Sequence, residues 1–201
     1  MNNRIISFHN GNIPDDVLRA QKAVFDLFEI PLEQIKTDLQ HPDAIDHFLL
    51  NEKWDVVILF DIDCIPLNIN PILEGVFQRQ EFLYGAEQHA SHIPGSIDYV
   101  SPAFMVLHRR IFKQLGFPSF RPTNQNDVGG LLTILAHEKN IPVHMLKVSD
   151  VVKPMWDLED GRKFGIGTTY DNSIFHAFES RMNADARNMF IDKCMDVLIS
   201  S

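Results

Sequence analysis

The chain has 201 residues, 45% hydrophobic and 22% charged, an ordinary composition for a soluble globular protein with one sizeable core. Its net charge of −9, from 27 acidic against 18 basic residues, argues against a sequence-independent nucleic-acid binder, which needs a basic face; an anionic substrate must be met by a cation or a local group of Arg and Lys. Two cysteines, Cys64 and Cys194, make neither a disulfide framework nor a zinc site, no apolar segment approaches membrane-span length, and MNNRIISFHNGN is too short in its apolar part for a signal peptide, so a cytoplasmic protein without a membrane anchor is expected.

Residues 4–8 read as a short buried strand closed by HNGN. Pro14, Asp15 and Asp16 open a helix to about residue 29, in which Val17, Ala20, Val24, Phe25, Leu27 and Phe28 largely follow helical spacing. A second strand is expected within 31–38 and a helix over 41–51. The clearest strand is 54–60, a β-branched run apolar on both faces, as in a covered parallel sheet. Asn70-Pro71 starts a helix to about residue 79, and 82–86 return as a strand. Residues 87–98 read as a polar loop, and 103–108 as a strand running into a short helix that Gly116 ends. Asn124 to Asp127 look like the cap of a helix over 128–139, and 143–148 form the last strand. Residues 150–175, rich in Gly and charge with few apolar anchors, read as a mobile lid. From Ala184 a terminal amphipathic helix places Phe190, Cys194, Val197 and Leu198 on one face. This alternation predicts a single α/β domain with a mostly parallel sheet flanked by helices.

The stretch WDVVILFDIDCIP ends its apolar run on two acids, Asp61 and Asp63. In a strand, residues i and i+2 point to one side, so extension through Ile62 would set both carboxylates facing one way with Cα atoms roughly 6–7 Å apart. Ligands of open α/β sheets sit beyond such strand ends. Two neighbouring carboxylates repel, and a divalent cation removes the repulsion while taking oxygen ligands from both. The plain alternative is a capping acid beside a solvated one.

At these residues the chain resembles the GT-A glycosyltransferases, whose DxD motif follows a hydrophobic strand and holds a divalent metal on the diphosphate of a nucleotide-sugar. The motif here is Asp61-Ile62-Asp63. The strand ending in SFHNG looks like the family's nucleotide-binding start, YVSPAFMVLHRRIFKQLG like its acceptor-side strand and helix, NQNDVGGLLTILAHEKN like the helix carrying its catalytic base, and IFHAF like the element supplying a metal-binding His. The resemblance implies a GT-A-like (Rossmann-like) mixed sheet. Its nucleotide-binding part spans roughly residues 1–66, its acceptor side 67–150, and its lid and C-terminal metal-binding element 151–201. It implies transfer of a sugar from a nucleotide-sugar, a UDP-sugar first, to an acceptor hydroxyl. It makes His176 the third metal ligand; a His among carboxylates suits Mn²⁺ better than Mg²⁺, which remains the alternative. A half-buried core histidine is the other reading of His176.

The resemblance makes Asp127 the general base; as an acid at a helix start it also reads as a cap. The family pattern is Glu-Asp and the chain has Asn126-Asp127, which leaves inversion or retention open. Arg181, Lys163 and Arg162 are candidates to neutralise a leaving diphosphate, since Arg forks onto phosphate oxygens. His9, Asn10 and Gly11 follow the first strand and Asp38 the second, where this fold contacts base or ribose. Glu87 and Gln88 fall where sugar or acceptor would lie, in a loop that also holds His89 and His92. Two further readings stand beside this one. The Asp-x-Asp also resembles the first motif of haloacid-dehalogenase-like phosphohydrolases, and a GT-A relative could bind nucleotide without turnover.

Overall fold

The structure is a computed structural model that describes residues 2–200. Its frame is a six-stranded sheet in the order β2-β1-β3-β6-β5-β7, formed by β1 (Asn3–His9), β2 (Leu32–Lys36), β3 (Val56–Phe60), β5 (Leu83–His89), β6 (Asp98–His108) and β7 (Val143–Leu146). The β1–β2, β1–β3 and β5–β7 pairs are parallel, and β6 runs antiparallel to both of its neighbours. The sheet is therefore mixed and mostly parallel.

Strand periodicity divides the core between the two faces of this sheet. Along β3, Val56, Ile58 and Phe60 pack on one side with Val17, Val24 and Phe25 of α1 (Asp15–Leu27) and Phe190 and Cys194 of α6 (Ala184–Ser200). Val57 and Leu59 pack on the other, with Ala44, Ile45 and Phe48 of α2 (His41–Asn51), Ile111 and Phe112 of α4 (Arg109–Leu115), and Leu132 and Ala136 of α5 (Gly130–Glu138). A strand covered on both sides must be apolar throughout, which is why VVILF shows no alternation. The expected helix over 70–79 is a short α3 (Asn70–Leu73) continued as one π-helical stretch, Glu74–Gln78.

A second sheet is all antiparallel, in the order β4-β10-β9-β8, from β4 (Cys64–Pro66), β8 (Val148–Asp157), β9 (Lys163–Tyr170) and β10 (Ile174–His176). It overturns the reading of 150–175 as an unstructured lid. The glycines that resemble loop composition serve strand pairing: a Cβ on Gly165 would fall 2.3 Å from the Lys153 carbonyl oxygen, and Gly167 sits at φ +73° against Met189. The polar loop over 87–98 also shrinks, because β5 runs to His89 and β6 begins at Asp98.

Candidate metal centre

The first sheet brings β1, β2 and β3 to a common edge with their carboxyl ends together. A cavity of about 610 Å³ opens there, lined by His9 and Asn10 after β1, Thr37 and Leu39 after β2, and Asp61, Ile62 and Asp63 after β3. This is where open α/β sheets bind ligands. Its remaining wall comes from Gln40, His41 and Pro42 at the start of α2 and from Glu179 to Met182 after β10.

Asp61 and Asp63 do not share an extended strand. The chain leaves β3 and turns at residues 62–63, closed by the Cys64 N–H donating to the Asp61 carbonyl at 3.0 Å. Gln21, fully buried on α1, clamps this turn by donating to the carbonyls of Asp61 and Cys64 at 2.8 and 3.0 Å. The turn, rather than the pleat, brings the two carboxylates together.

The third side chain arrives through the second sheet. β10 pairs antiparallel with β4, with His176 directly opposite Cys64, and the Ala177 N–H donates to the Asp63 carbonyl at 2.9 Å. His176 Nε2 then lies 3.2 Å from Asp63 Oδ1 and 3.6 Å from Asp61 Oδ2. One oxygen from each carboxylate and one imidazole nitrogen all fall within 4.8 Å of one another. Beyond β10, Phe178 and Glu179 both take left-handed conformations (φ 56° and 54°), which non-glycine residues adopt at a cost. That strained turn carries the Ser180 N–H to Asp63 Oδ2 at 3.1 Å and stacks the Phe178 ring on His176, centroids 3.7 Å apart.

The electrostatics fit a cation. Asp63 is buried, and burial alone would raise its pKa; the His176 imidazole and the Ser180 main chain outweigh burial and hold the carboxyl below its usual range. Among the described residues, the basic groups within 4 Å of these carboxylates are imidazoles, His176 on both and His41 on Asp61, with no Lys or Arg. Two carboxylates without a permanently charged partner, with an imidazole nitrogen between them, form a donor set suited to a divalent ion.

His41 is the residue that sequence reading missed. It begins α2, and its Nε2 lies 3.3 Å from Asp61 Oδ1, the oxygen turned away from His176. Each Asp61 oxygen thus faces a different imidazole. An N–H on the outer oxygen would fix the carboxylate with Oδ2 toward the ion. Replacing His41 by Ala is expected to weaken Mn²⁺ binding about tenfold, and His41→Gln, which keeps an N–H donor, to recover part of the loss. Titration calorimetry with Mn²⁺ checks this; unchanged affinity in His41→Ala would show that the contact orients nothing.

The other candidates divide. His9, Asn10, Ile62 and Arg181 join Asp61 and Asp63 at the cavity, Arg181 on its exposed rim. Burial and the neighbouring Lys36 ammonium lower the His9 pKa and favour its neutral ring. Gly11 takes φ +76° with Lys36 folded over it, a Cβ there falling 2.8 Å from Lys36 Cε. Asp38 is exposed in the segment between Thr37 and Leu39, both of which line the cavity.

Asp127 lies outside the helix it was expected to cap. α5 starts at Gly130 behind Gly129 at φ +79°, and the Asp127 carboxylate accepts instead from the Val128 N–H at 2.7 Å. Burial, and then the charges of Asp127 and Asp61, push the Tyr99 phenol well above its usual pKa.

Glu87, Gln88 and Lys163 are not brought to the cavity. The Glu87 side chain is fully buried: Arg162 forks onto it at 2.5 and 3.0 Å, Lys147 reaches it at 2.8 Å and the Val148 N–H at 2.6 Å. It is an internal strut between the two sheets, which also accounts for Arg162. Gln88 accepts from the Ser101 hydroxyl at 2.6 Å. Lys163, at the start of β9, pairs with Asp157 across the β8–β9 hairpin at 2.5 Å. Among the described residues, no helix is long and apolar enough to cross a membrane.

No protein-family model and no curated protein matches the chain. Among solved structures it is similar to the one described as "Crystal Structure of A197 from STIV", at 14% identity, with 82% of this chain and 93% of that chain covered and a TM-score of 0.47.

Proposed function

We propose that the chain is a divalent-metal-dependent glycosyltransferase that takes a sugar from a nucleotide-sugar, a UDP-sugar first, to an acceptor hydroxyl. What carries this reading is the convergence of Asp61, Asp63 and His176 within 4.8 Å, with both aspartates lining a cavity of about 610 Å³. That cavity has room for a nucleotide-sized ligand. It also fits the DxD resemblance read from WDVVILFDIDCIP. The ion, Mn²⁺ or Mg²⁺, would be held by those three side chains and would neutralise the departing diphosphate.

The chain's own residues supply the rest of the assignment. Arg181 on the rim adds a permanent positive charge for phosphate oxygens. His9 and Asn10 end β1 where the base and ribose would enter. Asp127 is the group we assign to take the acceptor proton, as the resemblance implies for the acid at the start of this segment.

The test is a panel of sugar nucleotides with and without Mn²⁺, read as release of nucleoside diphosphate. Turnover of one donor only with the metal is the expected result, and Asp127→Asn should lose turnover while keeping Mn²⁺-dependent nucleotide binding. Nucleotide binding without turnover of any donor would make the chain a non-catalytic relative. Phosphate release from a generic phosphate ester, lost in Asp61→Asn, would make it a phosphohydrolase.

A further inference from the structure

A second group of chemistry-bearing side chains lies on the hairpin between β5 and β6. We propose that Ser96 is an activated nucleophile, with His89 as its general base and Asp98 orienting the base, and that it accepts acyl groups from activated esters. His89 ends β5, Asp98 begins β6, and the two are paired across the strands. His89 Nδ1 lies 3.0 Å from Asp98 Oδ1, and His89 Nε2 lies 3.0 Å from Ser96 Oγ. Asp98 Oδ1 also accepts from the Glu159 N–H at 3.0 Å, so the β8–β9 hairpin holds the carboxylate in place.

The protons decide the roles. A carboxylate only accepts, so a neutral His89 ring carries its hydrogen on Nδ1 and presents a lone pair at Nε2. The Ser96 hydroxyl stands against that lone pair, and its one hydrogen can point to Nε2 or to the Ala90 carbonyl, also at 3.0 Å. His89 and Asp98 are each 15% exposed, which shelters their contact from water. Ser96 is only half-buried, and beside it the space at Gly95 is open, since a Cβ there would meet nothing within 4 Å. Nucleophile, base and orienting acid in hydrogen-bonded sequence are recognised by geometry and not by order in the chain.

In the step, Ser96 Oγ bonds to the ester carbonyl carbon as its proton passes to His89 Nε2. The bond from that carbon to the ester oxygen then breaks, and the leaving alkoxide takes the proton from His89. Water attacks the acyl-serine through the same proton transfers, releasing the acid and restoring the hydroxyl. Ester and water balance the reaction. With a fluorophosphonate probe, the Oγ–P bond forms, the P–F bond breaks, fluoride leaves and the proton on His89 passes to water.

The experiment treats the full chain with a fluorophosphonate and locates the adduct by mass spectrometry. The expected adduct is on Ser96, is absent in Ser96→Ala, and forms about 10²–10⁴-fold more slowly in His89→Gln, the range general-base activation supplies. Asp98→Asn should slow it at least about tenfold. Ser91, exposed on the same hairpin, is the internal reference in the unaltered protein and keeps the test independent of how the variants fold. Modification of Ser96 no faster than Ser91 would overturn the proposal and leave the three side chains as a fastener of the hairpin. Labelling of Ser96 that is indifferent to His89→Gln in a folded variant would overturn it equally.

Discussion

Asp63→Asn is expected to weaken Mn²⁺ binding by about 100-fold or more, ~2.7 kcal/mol, the largest effect of any single change at the centre. The substitution is nearly isosteric and keeps an oxygen for the Ser180 N–H, which now lies 3.1 Å from Asp63 Oδ2. It removes the charge of the more enclosed of the two carboxylates, whose side chain is 9% exposed against 28% for Asp61. An exposed carboxylate can be replaced in part by water; an enclosed one cannot. Asp61→Asn should therefore cost less than Asp63→Asn. Competition against a fluorescent Mn²⁺ chelator measures both, and the reverse order would show that enclosure does not set ligand strength here.

Arg162→Met is expected to lower stability by about 3 kcal/mol, because it removes two of the four hydrogen bonds to the buried Glu87 carboxylate. Glu87 has no exposed side-chain surface, whereas Arg162 is 35% exposed. Removing the acid frees a cation that water can reach; removing the arginine strands an anion that water cannot reach. In a chain of this length that loss corresponds to a drop in melting temperature of about 10 °C. Glu87→Gln should cost less, since the stranded Arg162 can rehydrate. Thermal denaturation of both variants tests the order. Mn²⁺ affinity should be unchanged in folded Arg162→Met, because the strut and the metal centre share no side chain.

What the chain disclosed in advance follows from how local each signal is. VVILF announces a doubly covered strand because burial on two faces is written into five consecutive residues. Gly116 announces a helix end because it alone supplies φ +91° at that cap. The β8–β9 hairpin is hidden because Gly165 and Gly167 answer to the backbone of Lys153 and the side chain of Met189, neither a neighbour in sequence. Glu87 misleads for the same reason: its ion pair with Arg162 spans 75 residues, and one acid at a strand end cannot show that. At the metal centre, the DxD pattern names two carboxylates although their approach comes from a turn. His176 is placed through the ordered set of resemblances. His41 carries no pattern of its own, being one histidine at a helix start, and emerges only when β3 sets Asp61 beside it.

The pairing of His176 with Cys64 also makes the centre a long-range tie. Asp63 and the segment after His176 meet across 117 residues of sequence, at the contact from Ser180. Because strand faces alternate, a slip of β10 by one residue would turn His176 to the opposite side and leave two carboxylates without their nitrogen. An ion bound there would recognise only chains in which the C-terminal strand has docked in register, and would stabilise those by about 2.7 kcal/mol at 100 times its dissociation constant. Contacts of such span form after the local ones. An ion held there would thus mark a finished fold: a chain that stops short of β10, or pairs it wrongly, keeps both acids of its DxD and lacks the imidazole that would complete the seat.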